Sequence, residues 1–513
     1  MNEIKTSCAS TDQQITIWES VDWNKCEAKV KKLQTRIVKA QKDSRHNKVK
    51  ALQWILIHSF YAKALVIKQV TSNKGSDTAG VVGVTWSTHL SKSKAISDLK
   101  QRGYTPQPLK RVHIKKSNGK LRSLGIPTMK DRAMQALYLL ALEAISETTA
   151  DKSSFGFRKH RSTKDAISQC FLHLSPDYQC KWILEGDIKG CFDHISHKWL
   201  INNIPMDKIM LRKWLKCGFV FNKQFFPTKE GIPQGGIISP TLANMTLDGL
   251  QGLLAKRFKA INTRKMYYNP KVYLVRYADD FIITCENRET LENEIKLMVK
   301  EFLADRGLTL SEEKTKITHI DDGFDFLGFN IRKYKGNLLI TPSKDKVKKL
   351  YGKIKEIVER NKSAKQEILI RLLTPVIDGW GNYYRNCVAS ETFNKLDHMI
   401  VRKLWRWSFR RHLKKGKRWI KQRYFHSVDG NNWIFGTQLE EENAGQLFSL
   451  KRLCDKKIIK HIKICNDSNP YDPQWEVYYK KRHTQQMLEH FNGNRTILRT
   501  SSFLLPSHHR YLY

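Results

Sequence analysis

Two adjacent aspartates, Asp279 and Asp280, stand between the apolar runs Lys271-Val-Tyr-Leu-Val-Arg276 and Phe281-Ile-Ile-Thr284. Two short apolar runs separated by a polar tip predict a β-hairpin, and Asp tolerates the backbone of a tight turn. The placement is electrostatically awkward. Like charges side by side repel, and apolar flanks solvate them poorly. A divalent cation relieves that repulsion, and Mg²⁺ favours one or two carboxylates together with substrate phosphates. A lone Asp-Asp is ordinarily an acidic surface turn, so the weight of this pair depends on what else the chain carries.

A second acidic strand lies upstream, in Trp182-Ile-Leu-Glu-Gly-Asp-Ile-Lys-Gly-Cys-Phe-Asp193. The run Trp182-Ile-Leu184 predicts a buried strand with Asp187 near its end, beside the glycines. Two-metal catalysis needs carboxylates from at least two chain segments, and Asp187 with Asp279 supplies that minimum. Phe192 is either ordinary core packing or, if it lies under the sugar of an incoming nucleotide, a block against a ribose 2′-hydroxyl. Asp193 is expected to cap a helix beginning near His194 and is left out of the metal site. Between the strands runs Gly231-Ile-Pro-Gln-Gly-Gly-Ile-Ile-Ser-Pro240. Its paired glycines allow close backbone approach, and a helix carrying Leu242, Met245 and Leu250 is expected from Ser239-Pro240. Further upstream, residues 111–122 predict a hairpin with an Asn118-Gly119 turn. Lys116 and Arg122 flank that turn as cations suited to a triphosphate.

Taken in order, these pieces resemble the fingers and palm of a reverse transcriptase, and more narrowly the proteins encoded within bacterial and organellar group II introns. The matching segments are Leu124-Gly-Ile-Pro-Thr-Met-Lys-Asp-Arg132, Ser154-Phe-Gly-Phe-Arg158, Asp187 to Asp193, Ile232 to Pro240, Tyr277-Ala-Asp-Asp280 and Phe326-Leu-Gly-Phe329. The resemblance implies an α+β right-hand polymerase whose catalytic carboxylates and Mg²⁺ ligands are Asp187, Asp279 and Asp280. Phe192 would be the gate against ribonucleotides and Gln234 a contact to the incoming nucleotide. Lys116 and Arg122 would hold its triphosphate, and Phe326–Phe329 would place the primer end. Residues 80–86 match the family's N-terminal motif except at Val82, where an Asp is usual.

The resemblance also organises the rest of the chain. Residues 1–79 would be an N-terminal extension, helical over 22–70 and either RNA-binding or a plain helical hairpin. Val30, Leu33 and Ile37 mark one apolar face and Leu52, Ile55 and Leu56 another, with a break near Ser44–Asn47. Residues 80–335 would be fingers and palm, and 336–430 an α-helical thumb, or maturase domain. There Lys344–Lys365 reads as an exposed charged helix, while Leu396, Ile400, Leu404 and Trp407 recur at helical spacing as core. Residues 405–423 carry nine Lys or Arg among Trp405, Trp407, Phe409 and Trp419. Cations neutralise phosphates and aromatics stack on unpaired bases, so Arg410, Arg411, Lys414 and Lys415 are the RNA-binding candidates. Within the tail, residues 431–513, Asn469-Pro-Tyr-Asp-Pro-Gln-Trp475 resembles the stretch leading into a zinc-dependent HNH endonuclease. With no Cys-x-x-Cys, and only His508-His509 near the end, that endonuclease is expected to be missing and the basic tail at most to bind DNA.

Composition agrees with a nucleic-acid partner. The 513 residues carry a formal charge of +42, spread along most of the chain, and an acidic polymer answers that charge. No 18-residue apolar span occurs and Met1–Asp12 lacks a signal-peptide pattern, so no membrane partner is expected. Ten scattered cysteines suit a reducing interior, a bacterial cytoplasm or alternatively an organelle. The expected function is an RNA-directed DNA polymerase and maturase acting on group II intron RNA, a DNA target and primer, and deoxynucleoside triphosphates; a homodimer is left open. A splicing cofactor with a vestigial polymerase and a domesticated reverse transcriptase with a host role are the competing classes.

Overall fold

The computed structural model describes residues 18–115, 119, 121–176, 180–262, 267–428, 430–438 and 447–491. Lys116, expected at the triphosphate, and the His508-His509 pair lie outside the described residues. The chain forms two compact units, one of Met1–Ala166, Trp182–Ile317 and Ile464–Met487, the other of Ile167–Lys181, Thr318–Lys463 and Leu488–Tyr513.

The first unit begins with three helices, α1 (Trp23–Lys42), α2 (His46–His58) and α3 (Phe60–Ser72). Asp22 starts α1 by accepting the Lys25 N–H at 2.9 Å, satisfying one of the amides a helix start leaves open. The break near Ser44 is present, with Ser44 at φ 54°. A second break at Ser59 makes three helices where a two-helix hairpin was one expectation. Val30, Ile37, Leu52 and Leu56 are buried, whereas Ile55 is exposed. Ile55 falls next to Leu56 and so points off the buried stripe, about 100° round the helix. These helices pack on α4 (Met129–Thr149), apolar on nearly every side, as a helix enclosed by the core must be. Thr128 caps it, accepting the Asp131 N–H at 3.2 Å.

The hairpin expected upstream forms from β1 (Leu109–Lys115) and β2 (Leu121–Ile126), paired from Lys110–Ile126 to Lys115–Leu121. The acidic segments meet in an antiparallel sheet. Its central strand β5 (Asp280–Cys285) pairs with β3 (Trp182–Gly186) on one side and β4 (Tyr273–Tyr277) on the other. The Pro240 helix is α5 (Ser239–Leu247), which stops at Asp248-Gly249. Gly249 has φ 99°, and Leu250 opens a separate helix, α6 (Leu250–Arg257). Leu250 was expected on the first helix, and the left-handed glycine is what divides the two. Asp193 likewise is not an N-cap. Gly190 holds that position for the short helix Cys191–His194, and Asp193 lies inside it.

The second unit opens with the three-stranded sheet β6 (Phe324–Phe326), β7 (Phe329–Tyr334) and β8 (Asn337–Pro342). Leu327 and Gly328 form the two-residue turn between β6 and β7, both at positive φ, the conformation that matches strand twist in a tight hairpin. The charged helix α7 (Lys344–Arg360) packs on α8 (Gln366–Tyr384) and on α9 (Ser390–Arg411). The end of α8 clasps the Leu327-Gly328 turn: its Tyr383 and Tyr384 hydroxyls donate to the Leu327 and Gly328 carbonyls at 2.9 and 3.0 Å. Leu396, Ile400, Leu404 and Trp407 of α9 are buried together, as their spacing predicts. Among the described residues no helix is long and apolar enough to cross a membrane.

Candidate active site

The hairpin register decides which acids meet. Tyr277 pairs with Asp280, so Ala278 and Asp279 are the two-residue tip between β4 and β5. Gly186, the last residue of β3, stands opposite Phe281, and Asp187 follows it directly. That register brings Asp187 to the end of the sheet where Asp279 and Asp280 turn. Gly186 is required there, because a Cβ would sit 2.1 Å from the Phe281 ring. Asp279 is half-buried and Asp280 exposed. Burial raises the Asp279 carboxyl above its usual range and the charge of Asp187 adds to this, while its own amide, Arg122 and Lys314 pull it back.

Lys314 is the principal addition to the expected site. Its Nζ lies 2.9 Å from Asp187 Oδ2. This hydrogen bond, with the field of Asp187, Asp280 and Asp279, holds its ammonium above the ordinary lysine range. The Ser311 N–H donates to the Asp187 carbonyl at 2.8 Å, so the turn carrying Lys314 is fastened to the acidic strand. Among the described residues no three His, Cys, Asp or Glu side chains form a ready metal-holding group. The acids instead share a lysine counter-charge. Nothing in the Glu312-Glu-Lys314 stretch marks that lysine in the sequence, since its partner is 127 residues away.

Beneath the turn lies Arg276, 1% exposed. Its Nη1 donates to the Ala278 carbonyl at 3.3 Å and to Asn244 Oδ1 at 3.2 Å, and its Nη2 pairs with Asp248. Burial pushes the Asp248 carboxyl up to about 6 despite this partner. The turn needs the support. Ala278 adopts φ 58°, a left-handed conformation that costs a side-chain-bearing residue roughly 1–2 kcal/mol. On the other side of β4, Ser154 bridges Arg276 in parallel, and the Phe155 N–H donates to the Arg276 carbonyl at 2.9 Å. A Cβ on Gly156 would lie 2.4 Å from the Ala278 nitrogen. Thus Ser154-Phe-Gly-Phe-Arg158 lies directly against the aspartate turn. A charged residue inside the apolar run of β4 was the available signal for Arg276, because a buried charge demands a partner.

The residues expected on the nucleotide side are joined through Gln234. Arg122 Nε donates to Gln234 Oε1 at 2.9 Å, and Gln234 Nε2 donates to the Asp193 carboxylate at 3.3 and 3.4 Å. The Gly125 N–H donates to the Gln234 carbonyl at 2.7 Å, and Gly235, at φ 111°, would place a Cβ 2.8 Å from the Gly125 carbonyl. Gly235 therefore lets the loop lie against β2, while Gly236 makes room for Ser239 and Gln135. Phe192 is half-buried against the core and meets Phe157 edge-on at 6.4 Å. It has both a packing role and a partly open face.

The basic helix end differs in part from expectation. Arg410, Lys414 and Lys415 are exposed. Arg411 is also exposed, yet it donates to the Lys362 and Ala364 carbonyls at 2.8 Å each and lies over Trp407. It therefore closes the α7–α8 connection. Trp407 is core, its Nε1 donating to the Asn361 carbonyl, and Trp405 packs on Phe425 and Trp433. Those two rings are engaged with protein, and Trp419 is half-buried, which leaves Phe409 as the exposed ring of the four.

Comparison with known proteins agrees along much of the chain. Residues 114–331 match the family model for reverse transcriptase (RNA-dependent DNA polymerase). Residues 18–99 match the N-terminal domain of reverse transcriptase, and 347–425 the group II intron maturase-specific domain. Protein YkfC of Escherichia coli (strain K12) is 35% identical over 295 residues, covering 51% of this chain and 77% of YkfC. The group II intron-encoded protein LtrA of Lactococcus lactis subsp. cremoris is 32% identical over 358 residues, covering 58% of this chain and 59% of LtrA. A 91 kDa protein in the cob intron of Schizosaccharomyces pombe is 28% identical over 366 residues, with 57% of this chain and 45% of that protein covered. With both the polymerase and the maturase-specific models matched in order, the chain belongs to the group II intron reverse transcriptase/maturase family.

Proposed function

We propose that this protein is an RNA-directed DNA polymerase that also acts as maturase for a group II intron, binding the intron RNA and copying it into DNA. The observation that most favours polymerase activity is the sheet register, which brings Asp187 to the Asp279-Asp280 turn, with Lys314 on Asp187 and the charge of Arg122 felt at Asp279. The carboxylates suit Mg²⁺, since Asp279 is already disfavoured as an anion by burial and by Asp187. Asp187 and Asp279 would hold the ions, with Asp280 beside them. When bound, the metal supplies activation of the primer 3′-hydroxyl and charge neutralisation at the leaving pyrophosphate. Arg122 orients the triphosphate, and Gln234, steadied by Asp193, contacts the nucleotide from the loop backed by β2. The open face of Phe192 excludes a ribose 2′-hydroxyl. On the thumb, Arg410, Lys414 and Lys415 contact RNA phosphates, with Arg411 contributing charge while it holds its own connection.

Asp279→Ala is expected to lower primer extension on an RNA template by at least roughly a hundredfold, the scale of losing one preorganised electrostatic element. Near wild-type extension would refute the assignment. Absence of extension by folded wild-type protein that still binds RNA would favour a splicing cofactor with a vestigial polymerase. Phe192→Val should raise ribonucleotide incorporation in a competition assay, and unchanged sugar selectivity would count against the gate. Neutralising Arg410, Arg411, Lys414 and Lys415 together should weaken intron RNA binding. The salt slope of the binding constant should flatten by roughly 0.7 for each phosphate no longer neutralised; equal affinity and slope in a filter-binding titration would rule that surface out.

A further inference from the structure

Residues 464–487, read from sequence as part of a tail that at most binds DNA, fold into the first unit. The attachment is built around a buried carboxylate. Asp165 is fully buried, and its Oδ1 accepts from the Ile464 N–H at 2.8 Å and from Arg482 Nη2 at 3.0 Å. Arg482 is itself 6% exposed, and its Nη1 donates to the His160 carbonyl at 3.2 Å. In the opposite sense, Arg161 reaches out of the 151–161 loop and donates to the Asn466 and Ser468 carbonyls at 2.8 and 3.3 Å. Asp165 and Arg482 are buried as an ion pair and Arg161 is buried against backbone carbonyls, which fixes geometry because a buried charge is costly to leave without a partner.

The loop so gripped is the one that lies against the aspartate turn. Arg158 ties its ends together, donating to the Asp151 and Ser154 carbonyls at 2.8 Å each and forking onto Glu147. Ser153 and Phe155 exchange backbone hydrogen bonds with Arg276, and Gly156 abuts Ala278. A continuous series of short polar contacts therefore runs from Arg482 and the 464–468 backbone, through the 151–161 loop, to the turn that carries Asp279.

We propose that residues 464–482 are a strap that positions the aspartate turn, with Arg482 and Arg161 as positioning residues acting through the 151–161 loop. This rests on the polymerase reading for its consequence in rate, though not for its consequence in structure. The strap's hydrogen bonds go to Asp165 and the 151–161 loop rather than to Asp187, Asp279 or Asp280, so its loss displaces Asp279 while leaving the Arg122–Gln234 hydrogen bond intact.

The test compares full-length wild type with Arg482→Met, Arg482→Lys and Arg161→Met in two measurements. In primer extension, Arg482→Met should lose roughly 10- to 100-fold in kcat, the scale of an ångström-level misplacement, with the nucleotide KM within about twofold of wild type. Arg482→Lys, which keeps the charge on Asp165, should recover much of that loss. In hydrogen exchange, the amides of Phe155 and Arg276 should lose protection while those between β3 and β5 keep theirs. If Arg482→Met does not fold, Arg161→Met, which leaves the Asp165 pair in place, carries the same two expectations. Folded variants with unchanged kcat and unchanged exchange overturn the strap, as does a loss of nucleic-acid affinity with exchange at Phe155 and Arg276 unaltered. If wild type itself fails to extend a primer, the polymerase reading fails, and exchange at those two amides still decides the strap.

Discussion

The guanidinium of Arg276 is the group on which the acidic end of the sheet depends. It sits one residue from the end of an apolar strand and reaches the Ala278 carbonyl, Asn244 and Asp248 at once. Removing one partner of a buried pair costs roughly 3–5 kcal/mol, so this cluster is committed to one geometry. What it holds is a turn that would not choose its own shape, because an alanine occupies a left-handed position where glycine is at home. The acids are thus placed from below by a buried cation and from the side by the Ser154–Gly156 backbone.

Around that fixed turn the charges are balanced rather than merely collected. Asp187 is met by Lys314, Asp193 by Gln234, and Gln234 in turn by Arg122. Each of these links joins segments far apart in the chain. The balance explains how an acidic cluster persists in a protein of charge +42, and how a half-buried carboxyl such as Asp279 can be kept close to a second acid. The maturase-specific region also uses one side chain for two purposes, since Arg411 both closes a helix connection and adds to a positive surface.

Much of this was legible from local pattern. Strand and turn chemistry pointed to β3, β4 and β5, and helical spacing to the buried stripe of Leu396, Ile400, Leu404 and Trp407. Local pattern fails where a partner is distant. Lys314, Asn244 and Asp248 carry no motif of their own, and the grip of Arg482 on Asp165 spans 317 residues. It also fails at boundaries set by single residues. Gly249 divides a helix that apolar spacing alone would continue, Gly190 takes the cap expected of Asp193, and Ile55 falls just off its stripe. Aromatics mislead for a related reason: Trp405 sits in a basic run, yet its ring packs on Phe425 and Trp433.

The placement of the turn is tested most directly by Gly156→Ala, which adds one methyl group where the Ala278 nitrogen already stands at 2.4 Å. Backbone cannot give way as a flexible side chain does, so the turn or the loop must shift. The variant should remain folded by thermal melting and bind RNA as wild type does, while primer extension falls by roughly tenfold or more. Wild-type extension by the folded variant would contradict the claim that this close approach sets the position of Asp279.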